Sequence, residues 1–259
     1  GMEEVDKPPI NHWIQIETAN SFVNNDVIWN PVRPPTLHEW LTFPDQALSE
    51  LTSGRIFHDD LGEITEIRKW LQFFPDSVWF FKMYCLWAAI AEEDAFVGRC
   101  NHVNDLIGEK LILTRIIGKL MRLCFLLERR YYPYSKWFGT AFSKLEKSSK
   151  LMPIINNALS GNSYEIRNEN LCRFYQEIGK LHNELCITDK IDTKLIQYHG
   201  RPYKGMDPEP FFKALKELFE KELKDYNFTI LSKTVLYDES CYGSYKSEMK
   251  AIVDASRIL

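Results

Sequence analysis

The sequence lacks the short patterns that mark several large enzyme classes. Its 259 residues contain no CxxC pair, no GxSxG or GxGxxG pattern, no P-loop and no Ser-His-Asp arrangement. These absences argue against common zinc, serine-nucleophile and dinucleotide-binding sites. No repeat of about 20 to 50 residues is visible either, so a solenoid or propeller is not indicated.

Long apolar runs and an excess of positive charge are also missing. Charged residues interrupt the most apolar patterns before roughly 18 residues accumulate, and no basic segment followed by an apolar run opens the chain. A formal net charge of −4 provides no general attraction to nucleic acid or to an anionic membrane. We therefore expect neither among the partners.

Cysteine usage indicates a reducing compartment. The six cysteines lie mostly within apolar helical patterns, at positions 85, 100, 124, 172, 186 and 241. Zinc sites need closely spaced ligands, and disulfide scaffolds are usually much shorter chains. Buried free thiols in the cytosol explain this pattern best. We predict a cytoplasmic protein without a metal site of its own.

Helical periodicity dominates what is present. Hydrophobic residues make up 45% of the chain and aromatics 14%, which is ample for a packed core. From residue 36 onward the apolar residues recur mainly with helical spacing, and Pro75, Asn104 or Asp105, and Ser135 can open helices. We predict a mainly α helical bundle over residues 36–259, preceded by an extended segment and Pro-rich connector over residues 1–35.

The N-terminal segment contains one strand-like pattern. WIQIETANSF at 13–22 alternates apolar and polar residues, which predicts a strand at 13–18. A lone strand leaves backbone groups unpaired. The segment could be solvated and mobile, or could lie against the bundle through Trp13 and Phe22. We expect it instead to pair with the β-branched and aromatic run at 227–237, or with a second copy in a homodimer.

Three arginines are spaced along the predicted helix that follows Asn104 or Asp105 and runs to about Tyr131. Arg115, Arg122 and Arg129 recur every seven residues. Seven residues are nearly two turns, so the guanidiniums drift only about 20° per step and line one stripe. Such a stripe requires carboxylates or a bound anion.

Two arrangements would satisfy this stripe. The preceding pattern predicts one helix from Asp76 to Cys100, which places Glu92 and Arg99 on one face. Glu92 or Asp94 could form buried ion pairs with the arginines of the next helix. Alternatively, the two helices could enclose a polar anion pocket, and both arrangements could coexist.

The second candidate is YYPYSKWFGTAF at 131–142. Pro133 ends one helix and Ser135 can cap the next, whose free N–H groups suit phosphate. Arg129, Arg130 and Lys136 would reinforce such a site. The alternative is a packed corner in which tyrosine hydroxyls bond to carbonyl groups. His182 is a weaker catalytic candidate, because a lone histidine on an amphipathic helix is usually structural.

Four segments resemble a known family. EEDAFVGRC, KLMRLCFLLERRYYPYSKWFGTAF, KLHNEL and HGRPY are similar to an uncharacterised domain-of-unknown-function family that forms the C-terminal helical part of predicted nucleotidyltransferases. The resemblance covers roughly residues 36 to 255. In related two-domain enzymes, a small α/β domain with a GS motif and an acidic pair binds magnesium and nucleoside triphosphate, and the helical domain closes the acceptor site.

The chain departs from that pattern, since no GS motif followed by Asp-x-Asp precedes the helical part. Glu92 and Asp94 have the right spacing but point apart on a helix. Magnesium and nucleoside triphosphate are thus implied only if a catalytic domain lies upstream. Residues 1–35 would be a remnant of that domain, in either a fragment or a natural single-domain relative.

We therefore predict the substrate- or nucleotide-binding half of a nucleotidyltransferase-like protein that does not catalyse alone. The expected partner is a nucleotide or another phosphate-bearing small molecule, and Glu92 and His182 are the catalytic candidates. The predicted anion pocket consists of Arg99, Arg115, Arg122, Arg129, Tyr134 and Lys136. The rival is a non-catalytic binding or interaction module whose Arg/Glu cluster is structural. Drug-like, alcohol, protein and RNA-end acceptors all fit the sequence.

Overall fold

The computed structural model describes residues 14–236 and 245–258, and these residues are mainly helical, as predicted. The helices are α1 (Ala19–Asp26), α2 (Leu37–Thr42), α3 (Asp45–Thr52), α4 (Glu63–Trp70), α5 (Asp76–Ala91), α6 (Phe96–His102), α7 (Leu106–Leu127), α8 (Ser135–Phe142), α9 (Ser148–Ser160), α10 (Tyr164–Glu184), α11 (Glu209–Phe219), α12 (Phe228–Leu231), α13 (Lys233–Leu236) and α14 (Tyr245–Ser256). β1 (Leu195–Gln197) pairs antiparallel with β2 (Lys204–Met206).

The core is built around α5, which is apolar on all sides and therefore buried. It packs against α7 and α11, and α10 packs against α7 and α9. Trp87 stacks on Phe211 of α11 with ring centroids 4.5 Å apart. The indole N–H of Trp79 donates to the Leu126 carbonyl over 2.9 Å, which joins α5 to the end of α7.

The expected helix starts are partly confirmed. Asp105 caps α7 by accepting a hydrogen bond from Gly108 N at 2.8 Å, and α5 begins directly after Pro75. α8 begins at Ser135 itself, so Ser135 is not its cap.

The predicted strand near the N-terminus is wrong over the described residues. Residues 14–18 are coil, with Ile14 and Ile16 exposed, and Thr18 then caps α1; Trp13 lies outside the described residues. In the expected pairing partner, residues 227–237, the described part from residue 228 onward forms α12 and α13, and Tyr237 lies outside the described residues. Asn227 caps α12, so local capping prevails over β propensity there. A homodimer stays a prediction.

The predicted continuous helix from Asp76 to Cys100 is also wrong, because it breaks at residues 92–95 into α5 and α6. The two acidic residues in the break have partners in different elements. Glu93 bonds to Arg115 and Lys119 of α7, whereas Asp94 accepts a 2.5 Å hydrogen bond from the Tyr198 hydroxyl. Tertiary contacts thus override the local helical pattern.

A small hairpin formed by β1 and β2 covers this break. Tyr203, between the two strands, packs its ring directly over Gly98 of α6. A Cβ atom placed on Gly98 would lie 2.3 Å from the ring carbon Cγ of Tyr203. Gly98 therefore provides the close approach that seats the hairpin on α6.

Gly98→Ala is accordingly expected to destabilise the protein by about 2 kcal/mol, because overpacking must displace Tyr203. The matched control is Gly118→Ala in α7, where an added Cβ meets nothing within 4 Å. That variant is expected to gain about 0.5–1 kcal/mol from helix propensity alone. Urea unfolding of both variants measures the difference, and equal effects would contradict this packing account.

Two further sequence predictions can be compared with the structure. Cys85, Cys124 and Cys172 are buried free thiols, as expected, whereas Cys186 is exposed. Within residues 14–236 and 245–258, no helix combines the length and apolar character needed to cross a bilayer. The cytoplasmic location and the domain boundary at residue 35 stay predictions.

Candidate functional site

The structure divides the predicted anion pocket between two separate clefts. Glu92, Arg115 and Arg122 line a cavity of about 590 Å³ among α5, α7, α12 and α13, here called the Glu93 cleft. Arg129 lines another cleft at the end of α7. Arg99 lies on α6 beside the Phe96 ring, with its guanidinium carbon 5.3 Å from the ring centroid.

The cations of the Glu93 cleft are largely engaged by one carboxylate. Arg115 Nη2 and Nε lie 2.5 and 2.9 Å from Glu93 Oε1, and Lys119 binds Oε2. Burial raises the pKa of Glu93, but the hydrogen bonds from Arg115 and Lys119 outweigh burial and hold the pKa below its ordinary value. The prediction of buried ion pairs from Glu92 or Asp94 is wrong: Glu93 forms the pairs, and the Arg115 side chain is exposed.

Glu92 and Arg122 occupy different positions in the same cleft. Glu92 is exposed at the end of α5 and forms no ion pair within the described part of the chain. Arg122 is half-buried, and its guanidinium carbon lies 5.3 Å from the centroid of the Tyr132 ring. The predicted role of Glu92 as orienter or base stays a prediction.

Arg129 is not part of the α7 stripe, because α7 ends at Leu127. Arg129 has φ +50°, and Arg130 N donates to Phe125 O over 2.8 Å in a Schellman-type helix end. Glycine usually occupies this left-handed position, so an arginine here stores backbone strain. Its guanidinium carbon lies 4.0 Å from the Trp79 ring centroid. Arg129 Nη2 also forms an ion pair with Asp76, 3.4 Å from Oδ1.

This helix end forms one wall of a first cavity of about 470 Å³, here called the Trp137 cavity. Trp137, Thr140, Ala141 and Lys144 of α8 and its C-terminal turn face into it, because residues spaced by three, four and seven share a helix face. Arg130 completes the wall. Among the described residues that line this cavity, none is Asp or Glu.

A second cavity of about 420 Å³ adjoins the first and is here called the Arg68 cavity. The two cavities share Ser53, Arg130 and Tyr131, and together they are the Arg130 cleft. Arg129 and Arg68 line the second cavity, again without a lining carboxylate in the described chain. Arg68 is held in place by hydrogen bonds to the carbonyls of residues 51, 53 and 54.

Lys136 and Tyr134, the two remaining residues of the predicted anion pocket, lie beside the Arg130 cleft. Lys136 Nζ is 5.3 Å from the Trp137 ring centroid, and Tyr134 N donates to Gln46 Oε1 over 2.7 Å. The Tyr131 hydroxyl donates to the Leu71 carbonyl, which is the packed-corner arrangement weighed from the sequence. The corner is thus both a packed junction and the edge of a basic cleft.

Neither Arg130 nor Lys144 belongs to the anion pocket predicted from the sequence, although Arg130 was predicted to reinforce the phosphate site at this corner. Within residues 14–236 and 245–258, the Arg130 and Lys144 side chains form no ion pair or hydrogen bond. The Arg-Arg doublet before YYPYSKWFGTAF and the helical spacing of Trp137 and Lys144 were available signals. Ser53 and Arg68 could not be found this way, because tertiary packing brings them from α3 and α4.

His182 is placed as a core residue. It is fully buried in α10 between Trp87 and Phe211, and its Nε2 lies 3.3 Å from Thr188 Oγ1. Burial lowers its pKa to about 4. Its surroundings are apolar and closed, so the geometry provides no route for a substrate to reach the ring.

The described residues contain no cluster of metal-ligating side chains. No group of three or more His, Cys, Asp or Glu side chains converges within residues 14–236 and 245–258. The Arg130 cleft itself is lined by cations, hydroxyls and aromatic rings. Its donor set is suited to an anion and unsuited to a metal ion.

In comparison with known proteins, a family model matches part of the chain. Residues 40–138 match the profile of a family described as "Domain of unknown function (DUF4037)". Neither a curated protein nor a solved structure matches the chain. The match supports the predicted resemblance to an uncharacterised domain family, and it includes Arg129, Arg130 and Trp137. The association with nucleotidyltransferases stays a prediction.

Proposed function

We propose that this chain binds a phosphate-bearing small molecule in the Arg130 cleft, as the substrate- or nucleotide-binding half of a nucleotidyltransferase-like protein. One observation carries the proposal: Arg130 and Lys144 face a shared cavity without any lining carboxylate in the described chain. Two cations near each other repel, and a bound anion relieves that repulsion.

The side chains of the Arg130 cleft suit phosphate chemistry. A guanidinium presents a planar fork of donors that matches phosphate oxygens, and a lysine ammonium adds a compact charge. Thr140 and Ser53 place hydroxyl groups in the same cavity. The net charge of −4 then restricts anion attraction to this local surface instead of spreading it over the protein.

The Glu93 cleft supports this function less well. Glu93 already pairs with both Arg115 and Lys119, so an anion there would compete with an existing carboxylate. This network favours the second candidate function, an interaction or ligand-binding module whose Arg/Glu cluster is structural. The two proposals concern different residues and can be tested separately.

Catalysis by the chain alone is not part of the proposal. Phosphoryl and nucleotidyl transfer need magnesium held by carboxylates, and the Arg130 cleft presents none. Magnesium and nucleoside triphosphate would be bound by a catalytic domain if one accompanies this chain. The role of the Arg130 cleft is to hold and orient the phosphate-bearing ligand.

Calorimetric titration with ATP tests the proposal. Arg130→Gln is expected to weaken ATP binding about tenfold or more, since a charge-assisted hydrogen bond contributes about 1.5–3 kcal/mol. Arg130 is exposed, so folding should be unaffected. Arg99→Gln is the matched control, because it removes an exposed arginine on α6. Equal ATP affinity of wild type and Arg130→Gln would refute the proposal, as would nucleotidyl transfer by the repurified chain alone.

A further inference from the structure

The Arg130 cleft has two chemically different ends. Its Trp137 cavity combines an indole ring with the apolar side chains of Ala141 and Leu145, whereas its Arg68 cavity is lined mainly by polar and basic side chains. Arg130 belongs to both cavities and Arg129 only to the second. A ligand that fills both must have a flat apolar part and a charged part.

Trp137 is placed to receive the flat part. Its side chain is 50% exposed in the first turn of α8, and it contacts no other aromatic ring within residues 14–236 and 245–258. An exposed tryptophan is unusual in a chain whose other indoles in the core are almost completely buried. Stacking of a nucleobase on such a ring is favourable for every base, because each base has a π face.

The charged part would follow the two arginines at the end of α7. The Schellman-type turn places Arg129 and Arg130 consecutively at the junction of the two cavities. Arg129 is held over Trp79, so its guanidinium is oriented before a ligand binds. Restricting the side chain in advance lowers the entropic cost of binding.

The dimensions agree with a ligand larger than inorganic phosphate. Each cavity, at about 470 and 420 Å³, is within the range of small-molecule sites, and the two share the lining residues Ser53, Arg130 and Tyr131. A single phosphate would contact Arg130 and Lys144 but would leave the Trp137 ring and Arg129 unused.

We infer that the ligand of the Arg130 cleft is a nucleoside polyphosphate whose base stacks on Trp137 and whose phosphate chain passes Arg130 towards Arg129. This inference rests on the proposed phosphate-binding function and adds the nucleoside recognition. Because no described residue that lines the cleft is Asp or Glu, the cleft takes the metal-free polyphosphate, and magnesium competes with the arginines for it. At Arg129 the phosphate chain also competes with Asp76, which is paired with that arginine.

The test compares ATP with inorganic tripolyphosphate, which has phosphates but no base. Wild-type protein should bind ATP about tenfold more tightly than tripolyphosphate. Trp137→Leu should remove that difference and leave tripolyphosphate affinity unchanged, whereas Trp137→Phe should retain most of it. Excess magnesium should weaken the binding of both ATP and tripolyphosphate. Circular dichroism and thermal unfolding verify that each variant is folded.

The possible outcomes separate the two proposals. If Arg130→Gln weakens both ligands but Trp137→Leu leaves the preference for ATP intact, phosphate binding stands and base stacking on Trp137 is overturned. Equal affinity of the wild type for ATP and tripolyphosphate overturns nucleoside recognition. This outcome needs no variant, so it decides the matter even if Trp137→Leu fails to fold. Absence of binding of either ligand to the wild type overturns both proposals.

Discussion

Glu109→Gln is expected to lower the free energy of unfolding by about 3–5 kcal/mol, the cost of leaving one member of a buried ion pair without its partner. Glu109 in α7 accepts two hydrogen bonds from Arg167 in α10, at 2.7 and 2.9 Å. The side chains are only 2% and 5% exposed. Arg167 also donates to the Gly161 carbonyl, so its guanidinium cannot move to water without breaking the helix junction.

Urea denaturation at neutral pH measures this effect. The double variant Glu109→Gln with Arg167→Met should recover most of the loss, because no unpaired charge then remains buried. Lys213→Met is the matched control: it removes the exposed pair with Glu209 and should change stability by less than about 1 kcal/mol. A loss below about 1 kcal/mol for Glu109→Gln would show that water reaches Arg167.

His182 should make the protein less stable in acid. Burial lowers its pKa from 6.5 to about 4, so the folded state holds the neutral imidazole. Its contribution is fully present above the unfolded pKa and is lost as the pH falls through the interval from 6.5 to 4. Linkage predicts a loss of about 2 kcal/mol by pH 5 and about 3 kcal/mol by pH 4.

Two carboxyl groups act in the opposite direction within the same interval. Burial raises the pKa of Asp94 to about 6, although its hydrogen bond from Tyr198 lowers it, and burial also raises the pKa of Asp26 to about 6. Their protonation in the folded state adds stability as the pH falls below 6. The pH dependence of the wild-type free energy of unfolding therefore contains the contributions of all three groups.

A comparison with His182→Leu isolates the histidine. The variant loses the contact with Thr188 at every pH but keeps Asp94 and Asp26. The stability of wild type minus that of His182→Leu, from urea titrations at pH 7, 6, 5 and 4, should fall by about 3 kcal/mol across the series. A difference that stays constant with pH would mean that His182 titrates equally in the folded and unfolded states.

Local features of the sequence explain much of the fold. Asp105 caps α7 and Pro75 opens α5, because capping and proline geometry depend only on neighbouring residues. The all-apolar pattern of α5 placed it in the core. Long helices with strong patterns were therefore predictable, whereas the hairpin at 195–206 has strands of three residues, too short for a periodic signal.

The errors concern segments whose partners are distant in sequence. The break at residues 92–95 depends on Glu93 bonding to Arg115 and on Asp94 bonding to Tyr198, 22 and 104 residues away. The strand predicted at 13–18 needed a second strand, and residues 228–236 are helical instead. A period-2 pattern shows that a segment could be a strand and contains no information about whether a partner is available.

For the candidate site, the sequence by itself determined the helical class and the basic, aromatic corner around YYPYSKWFGTAF. Only the tertiary structure decided which cations remain free for a ligand. Arg115 and Lys119 both pair with Glu93, whereas Arg130 and Lys144 line a cavity completed by Ser53 from the end of α3. Charge neutralisation depends on distances of a few ångströms between separate helices, and those distances are set by packing.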